Sequence, residues 1–101
     1  MQLEFSTEAI LNRMINTIKE KGFKQGELGN SKKGYSVFGS FINDRHNYSS
    51  YNYPYYYYRT VKELLENNLP KKYTNLKDYD FAPHRKVDVI NYLLKVKKAI
   101  K

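Results

Sequence analysis

Cysteine and tryptophan are absent from the 101 residues, and proline occurs only three times. Without cysteine there is no disulfide framework, no thiol nucleophile and no zinc ribbon or finger. Long hydrophobic runs are missing too, since none approaches the roughly 18 residues that span a bilayer. Met1, Gln2, Leu3 and Glu4 lack the basic and apolar regions of a secretory signal, so the expectation is a cytoplasmic protein with no membrane partner. Acidic charge is scarce: ten Asp and Glu face 18 Lys and Arg, a net charge of +8. Such a balance disfavours an acidic DNA mimic and favours a polyanionic partner, nucleic acid above all. The carboxylates are scattered singly, which leaves a two-metal site without a basis. Neither His46 nor His84 stands in a metal-ligand spacing, and no cofactor is implied.

What is present is a folding chain. Apolar residues make up 41% and aromatic residues 16%, too much hydrophobic surface for a chain that stays disordered. Residues 1–101 read as a single basic domain. At this size about two thirds of the unfolded chain's surface is buried, so the core is small and a second copy would help stabilise it. Lysine outnumbers arginine 14 to 4 and Asn and Tyr are abundant, a composition expected of an AT-rich genome such as a low-GC bacterium, its phages or its mobile elements.

Ile10, Leu11, Met14, Ile15 and Ile18 repeat at helical spacing and predict a helix over 7–21. Ser6 is its N-cap, Phe5 and Ile10 form a hydrophobic staple, and Gly22 ends it with Phe23 folding back on Ile18. Residues 24–34, with three glycines and three lysines, read as a flexible loop; Lys32 and Lys33 there can touch a phosphate backbone. The β formers of 35–42 read as a strand, with Gly39 as a bulge. After a turn over 43–47 comes a Tyr-rich segment over 48–58, which holds seven of the eleven tyrosines and no formal charge. The alternation of Tyr51, Tyr53, Tyr55 and Tyr57, with Pro54, suits an edge strand pairing back on 35–42. Thr60 and Glu63 form a capping box for a helix whose apolar face is Val61, Leu64, Leu65 and Leu69, ended by Asn67, Asn68 and Pro70. Residues 74–79 allow one short helical turn. Pro83 suits the first turn of a last helix with the stripe Val89, Leu93, Val96 and Ile100, flanked by Val87, Ile90 and Leu94, an arc broad enough for the core and a homodimer seam. The expected fold class is α+β, a small single domain in the order helix, β-hairpin, helix, helix, with a winged-helix-like variant in which the tyrosine hairpin is the wing.

Three functional readings follow. The first is a non-enzymatic nucleic-acid-binding protein, DNA favoured over RNA. Tyr51, Tyr53, Tyr55 and Tyr57, between Arg45 and Arg59, would meet bases or a groove, and Lys32, Lys33, Lys95, Lys97 and Lys98 would meet phosphates. The second is a protein-interaction module, such as a phage-encoded inhibitor or an immunity-like protein, with the tyrosine surface as its hot spot. The third is a metal-free ribonuclease using His46 beside Arg45. Against each stands the plain alternative that the tyrosines fill a small core and the C-terminal lysines answer the helix dipole. A helix-turn-helix over 60–79 has the right order, but its second helix carries Asp78 and Asp80 with only Lys77 as a cation, poor equipment for base edges.

Overall fold

The computed structural model describes residues 6–26, 28–47 and 55–100. The elements are α1 (Thr7–Lys21), β1 (Gly29–Asn30), β2 (Gly34–Tyr35), α2 (Val37–Asn47), α3 (Tyr55–Asn67), α4 (Leu76–Asp80) and α5 (Lys86–Lys98). The fold is a small α+β domain: a two-stranded antiparallel hairpin lies between helices.

Helix α1 is the axis of the molecule. Its apolar stripe, Ile10, Leu11, Met14, Ile15 and Ile18, is buried, and α2, α3 and α5 pack around it. Burying side chains of this kind is worth about 1.5–3 kcal/mol each, so this stripe is the largest element of the core. The Ser6 hydroxyl accepts from the Ala9 amide at 3.0 Å and Gly22 ends the helix at a φ of 91°. Helix α5 runs antiparallel to α1: Lys86 Nζ donates to the Lys19 carbonyl near one end, and Lys97 meets Glu8 at 3.8 Å near the other. Helix α2 is also antiparallel, anchored where Arg13 grips the buried Asp44 carboxylate through two bonds of 2.5 and 3.2 Å.

The hairpin is made by residues other than those the sequence pattern suggested. It lies within 24–34 and its edge, pairing Gly29 with Tyr35 and Asn30 with Gly34. The Asn30 side chain closes its turn by accepting from the Lys32 and Lys33 amides, both at 2.9 Å. Tyr35 also bridges Phe23 on its other side. Gly34 has a φ of 92°, and a Cβ there would fall 2.7 Å from the Gly22 carbonyl oxygen.

The expected strand over 35–42 is instead the start of α2. Three side-chain acceptors fix its first turn: Ser36 Oγ takes the Gly39 amide at 2.9 Å, and the Asp80 carboxylate takes the Val37 and Phe38 amides at 2.8 and 3.0 Å. A helix start so fully satisfied overrides the β preference of Val and Phe. Gly39 is therefore no bulge; it lies where α2 meets the Leu28 carbonyl.

Two further boundaries differ. Tyr55, Tyr56, Tyr57 and Tyr58 form the first turn of α3, not an edge strand, so Thr60 lies inside the helix and caps nothing, and the tyrosine wing does not form there. Tyr51, Tyr53 and Pro54 lie outside the described residues, as do Phe5 of the expected staple and most of the Tyr-rich segment. Pro83 and His84 precede α5, which starts at Lys86 after Arg85. The expected stripe of α5 is buried at Val89, Leu93 and Val96, whereas Val87 and Leu94 face outward. Helix α4 is a single turn with Leu76, Tyr79 and Asp80 buried, which leaves it unable to enter a groove as the second helix of a helix-turn-helix. None of the described helices is long and apolar enough to cross a membrane.

Candidate nucleic-acid interface

Helical rather than extended backbone over 55–58 changes which tyrosines act together. On a strand Tyr55 and Tyr57 would share a face; on a helix Tyr55 and Tyr58 do, and Arg59 follows one turn after Tyr55. The rings form a ladder. Phe41, fully buried on α2, stacks on Tyr58 at a centroid distance of 5.3 Å and an interplanar angle of 22°, and Tyr58 stacks on Tyr55 at 5.9 Å and again 22°. Tyr55 is 68% exposed, so the outer end of a ladder rooted in the core faces solvent. The Arg45 guanidinium lies 4.6 Å from the centroid of the Tyr58 ring, a cation-π contact that holds it beside the ladder.

The structure thus brings Arg45, Tyr55 and Arg59 together, adds Tyr58 and Phe41, and turns Tyr57 away. Tyr57 is half-buried and packs against the core, with its ring edge to face with Tyr56 at 5.2 Å. Tyr56, 68% exposed, is a second solvent-facing ring. Arg59 pairs with Glu63 at 3.2 Å, with both side chains largely exposed. An ion pair of this kind contributes little and opens at small cost, which leaves Arg59 available to a phosphate.

The lysines divide into two groups. Lys95, Lys97 and Lys98 occupy the last turns of α5, and Lys97 there shares Glu8. That end of α5, like the Arg13–Asp44 anchor beside Arg45, is tied to the N-terminal half of α1. Lys32 and Lys33 are exposed on the hairpin turn, which is tied to the other end of α1 by the 2.9 Å bond from the Tyr35 amide to the Gly22 carbonyl. The hairpin lysines thus belong to the C-terminal end of α1, and the lysines of α5 to its N-terminal end.

Comparison with protein-family models, curated proteins and solved structures finds no match to this chain. Its chemistry has to be read from its own surface.

Two concave regions complete that surface. One, of about 530 Å3, is mostly apolar and is lined by Leu28, Phe38, Leu76 and Phe81, with Lys62 and Lys77 also on its wall. Leu28 and Phe81 are about half exposed at 49% and 54%. At its inner side the Asp80 carboxyl, almost fully buried, is pushed up to about 6 by desolvation. The two α2 amides, His84 and the Ser36 hydroxyl oppose that rise. The other, of about 390 Å3, lies between α4, the residues before α5, and α5 itself, and has aromatic walls. Burial is the first cause holding the Tyr79 and Tyr92 phenols well above the ordinary tyrosine range; both stay neutral. The Tyr92 hydroxyl donates to the Leu65 carbonyl and ties α5 to α3. His84 and His46 lie on separate elements, His84 before α5 and His46 in the last turn of α2. Among the described residues no group of His, Cys, Asp and Glu is placed to hold a metal ion.

Proposed function

We propose that this chain is a small, non-enzymatic nucleic-acid-binding domain of a low-GC bacterium or one of its mobile elements, with DNA favoured as the ligand. It acts by holding unpaired bases on the exposed end of the Phe41–Tyr58–Tyr55 ladder while Arg45, Arg59 and the lysines of α5 meet phosphates. The ladder carries this reading. A ring that is exposed on one side and backed by stacked rings down to the core is a rigid surface for a base, and arginines flank it. Base-on-tyrosine stacking is worth about 1–3 kcal/mol per base and tolerates any sequence. The net charge of +8 supplies the attraction to a backbone.

A fluorescence-anisotropy titration against a labelled single strand and a duplex of mixed sequence tests the reading. With Arg45, Arg59, Lys95, Lys97 and Lys98 on phosphates, the log-log salt slope for a single strand should be about −3.5, a loss of about 100-fold in affinity between about 50 and about 200 mM salt. The single strand should bind more tightly than the duplex. Absence of binding at low salt, or binding that ignores salt, rejects the proposal.

The apolar concavity favours a second reading, a protein-interaction module. Leu28 and Phe81 exposed beside an apolar hollow form a patch that a partner's hydrophobic side chain can fill. Val87 and Leu94, exposed one above the other on α5, are the residues on which the homodimer seam would rest. An interface of either kind is far less sensitive to salt than phosphate binding.

A further inference from the structure

The cleft of about 390 Å3 beside α5 has a chemistry that the ladder does not use. Its inner wall is a cluster of rings fixed by mutual contact. Tyr79 stacks on His84 at 3.9 Å and 18°, Tyr92 lies against Tyr79 at 4.7 Å, and Tyr73 meets both Tyr79 and His84 edge to face at 5.2 and 5.6 Å. His84 is held further by Nε2, which donates to the Tyr79 carbonyl at 2.6 Å; a carbonyl only accepts, so the proton is on Nε2. Tyr79 and Tyr92 are buried and Tyr73 and His84 are half-buried, so the last two are the rings that a ligand can touch.

Around this wall stand groups of two kinds. Lys72 and Lys95 bring positive charge from opposite sides in sequence, one before α4 and one on α5. Lys72 Nζ lies 5.3 Å from the centroid of the Tyr73 ring. Asn68 and Asn91 bring amides. The Asn68 Nδ2 donates to the Leu64 carbonyl at 2.8 Å, which leaves its Oδ1 as an acceptor, while Asn91, exposed, offers both donor and acceptor. The one carboxylate in the lining, Asp88, is gripped by Arg85 through two bonds of 2.9 and 3.1 Å, and that partner holds its carboxyl below the usual range. Its charge is therefore offset at the mouth.

Rings, amides and two lysines in a hollow at the small end of the ligand-site range match a flat heterocycle that carries an anionic group. We propose that this cleft binds a single phosphorylated nucleoside, its base against Tyr73 and His84, its edge on the Asn68 and Asn91 amides, and its phosphate on Lys72 and Lys95. The walls are already packed, so binding costs little ordering. The site shares Lys95 with the phosphate contacts proposed for a strand, but its rings and Lys72 are separate from the tyrosine ladder. Two sources share this ligand chemistry, a free nucleotide and the 5′-phosphorylated end of a strand.

Isothermal titration with each of the four ribonucleoside and four deoxyribonucleoside 5′-monophosphates, in the intact chain, tests the assignment. At least one should saturate with a Kd of about 1 mM or below. Lys72→Glu and Lys95→Glu, both on exposed side chains whose reversal leaves the core untouched, should each weaken it about tenfold or more. Asn91→Ala should alter the preference among bases. A 5′-phosphorylated oligonucleotide that displaces the monophosphate, where its 5′-hydroxyl counterpart does not, assigns the site to strand ends; failure of both to displace it assigns the site to the free nucleotide. No saturation by any monophosphate, or binding that survives both charge reversals, overturns the proposal. Because Lys72 takes no part in the ladder reading, salt-dependent strand binding that persists in Lys72→Glu leaves that reading standing whatever the outcome at the cleft.

Discussion

Replacing Gly39 by alanine should destabilise the domain by about 3 kcal/mol or more, as large as any overpacking substitution commonly gives. The first turn of α2 lies directly against the chain before β1, so that a Cβ on Gly39 would fall 1.8 Å from the Leu28 carbonyl oxygen and 2.6 Å from its carbon. Those are backbone atoms and cannot swing aside as a side chain can. The Leu28 carbonyl also accepts the Ser36 amide at 3.4 Å, so pushing it away loosens the residue that caps α2. Urea denaturation of the variant measures the loss, and a cost below about 1 kcal/mol would mean that the two segments are not in contact. Gly22→Ala is the control. A Cβ there meets nothing within 4 Å, but its φ of 91° still strains alanine, so a smaller loss of about 1–2 kcal/mol is expected.

Asp80→Ala should cost about 2–5 kcal/mol near pH 5, because the Val37 and Phe38 amides lose their acceptor in a buried place. The cost should depend on pH in a particular direction. Desolvation lifts the Asp80 carboxyl from 3.8 to about 6 in the fold, so the folded state holds this proton more tightly than the unfolded chain does. Stability that comes from this group is complete below about pH 4 and is lost as pH rises through about 6. A difference of about two units amounts to about 3 kcal/mol at most. The gap between wild type and the alanine variant should therefore narrow between pH 4 and pH 7.5. A gap that widens instead would mean that the amides and the positive end of α2 favour the carboxylate more than burial opposes it.

How far the sequence foretold this fold depends on where the deciding contacts lie. Helix α1 was readable because its cap, its stripe and its stop are all local: Ser6, the spacing from Ile10 to Ile18, and Gly22. The α5 stripe was readable for the same reason. Helix α2 was not, because its start depends on Asp80, more than forty residues away. A helical signal was nonetheless present: Ser36 precedes Val37, and Val37, Phe41 and Asp44 follow at helical spacing on the buried face. The run of β formers masked it. In the tyrosine segment the alternation that suggested a strand is equally compatible with a helix when nearly every position is tyrosine. Period therefore distinguished nothing over 55–58, and the face shared by Tyr55 and Tyr58 became visible only with the fold.

The residues of the proposed interface are legible by type and not by arrangement. Arg45, Tyr55 and Arg59 stand out by residue type and by their place around the Tyr-rich segment, and helix geometry sets them around Tyr58. Tyr57 packs against the core outside the ladder, and the hairpin is tied to the C-terminal end of α1. The aromatic cleft had no local signature. Its rings come from the segment before α4, from α4, from the residue after Pro83 and from α5, a set that no spacing rule joins.

Photo-crosslinking decides whether the ladder meets bases. A single-stranded oligonucleotide carrying 5-bromouracil, bound at low salt, is irradiated, and the linked residue is identified by fragmentation mass spectrometry. The ladder reading expects the bond at Tyr55 or Tyr56, the exposed tyrosines among the described residues, and its loss in Tyr55→Ala and Tyr56→Ala together while the fold persists. Cross-links confined to the hairpin or to the apolar concavity, or binding with no tyrosine adduct at all, would contradict it.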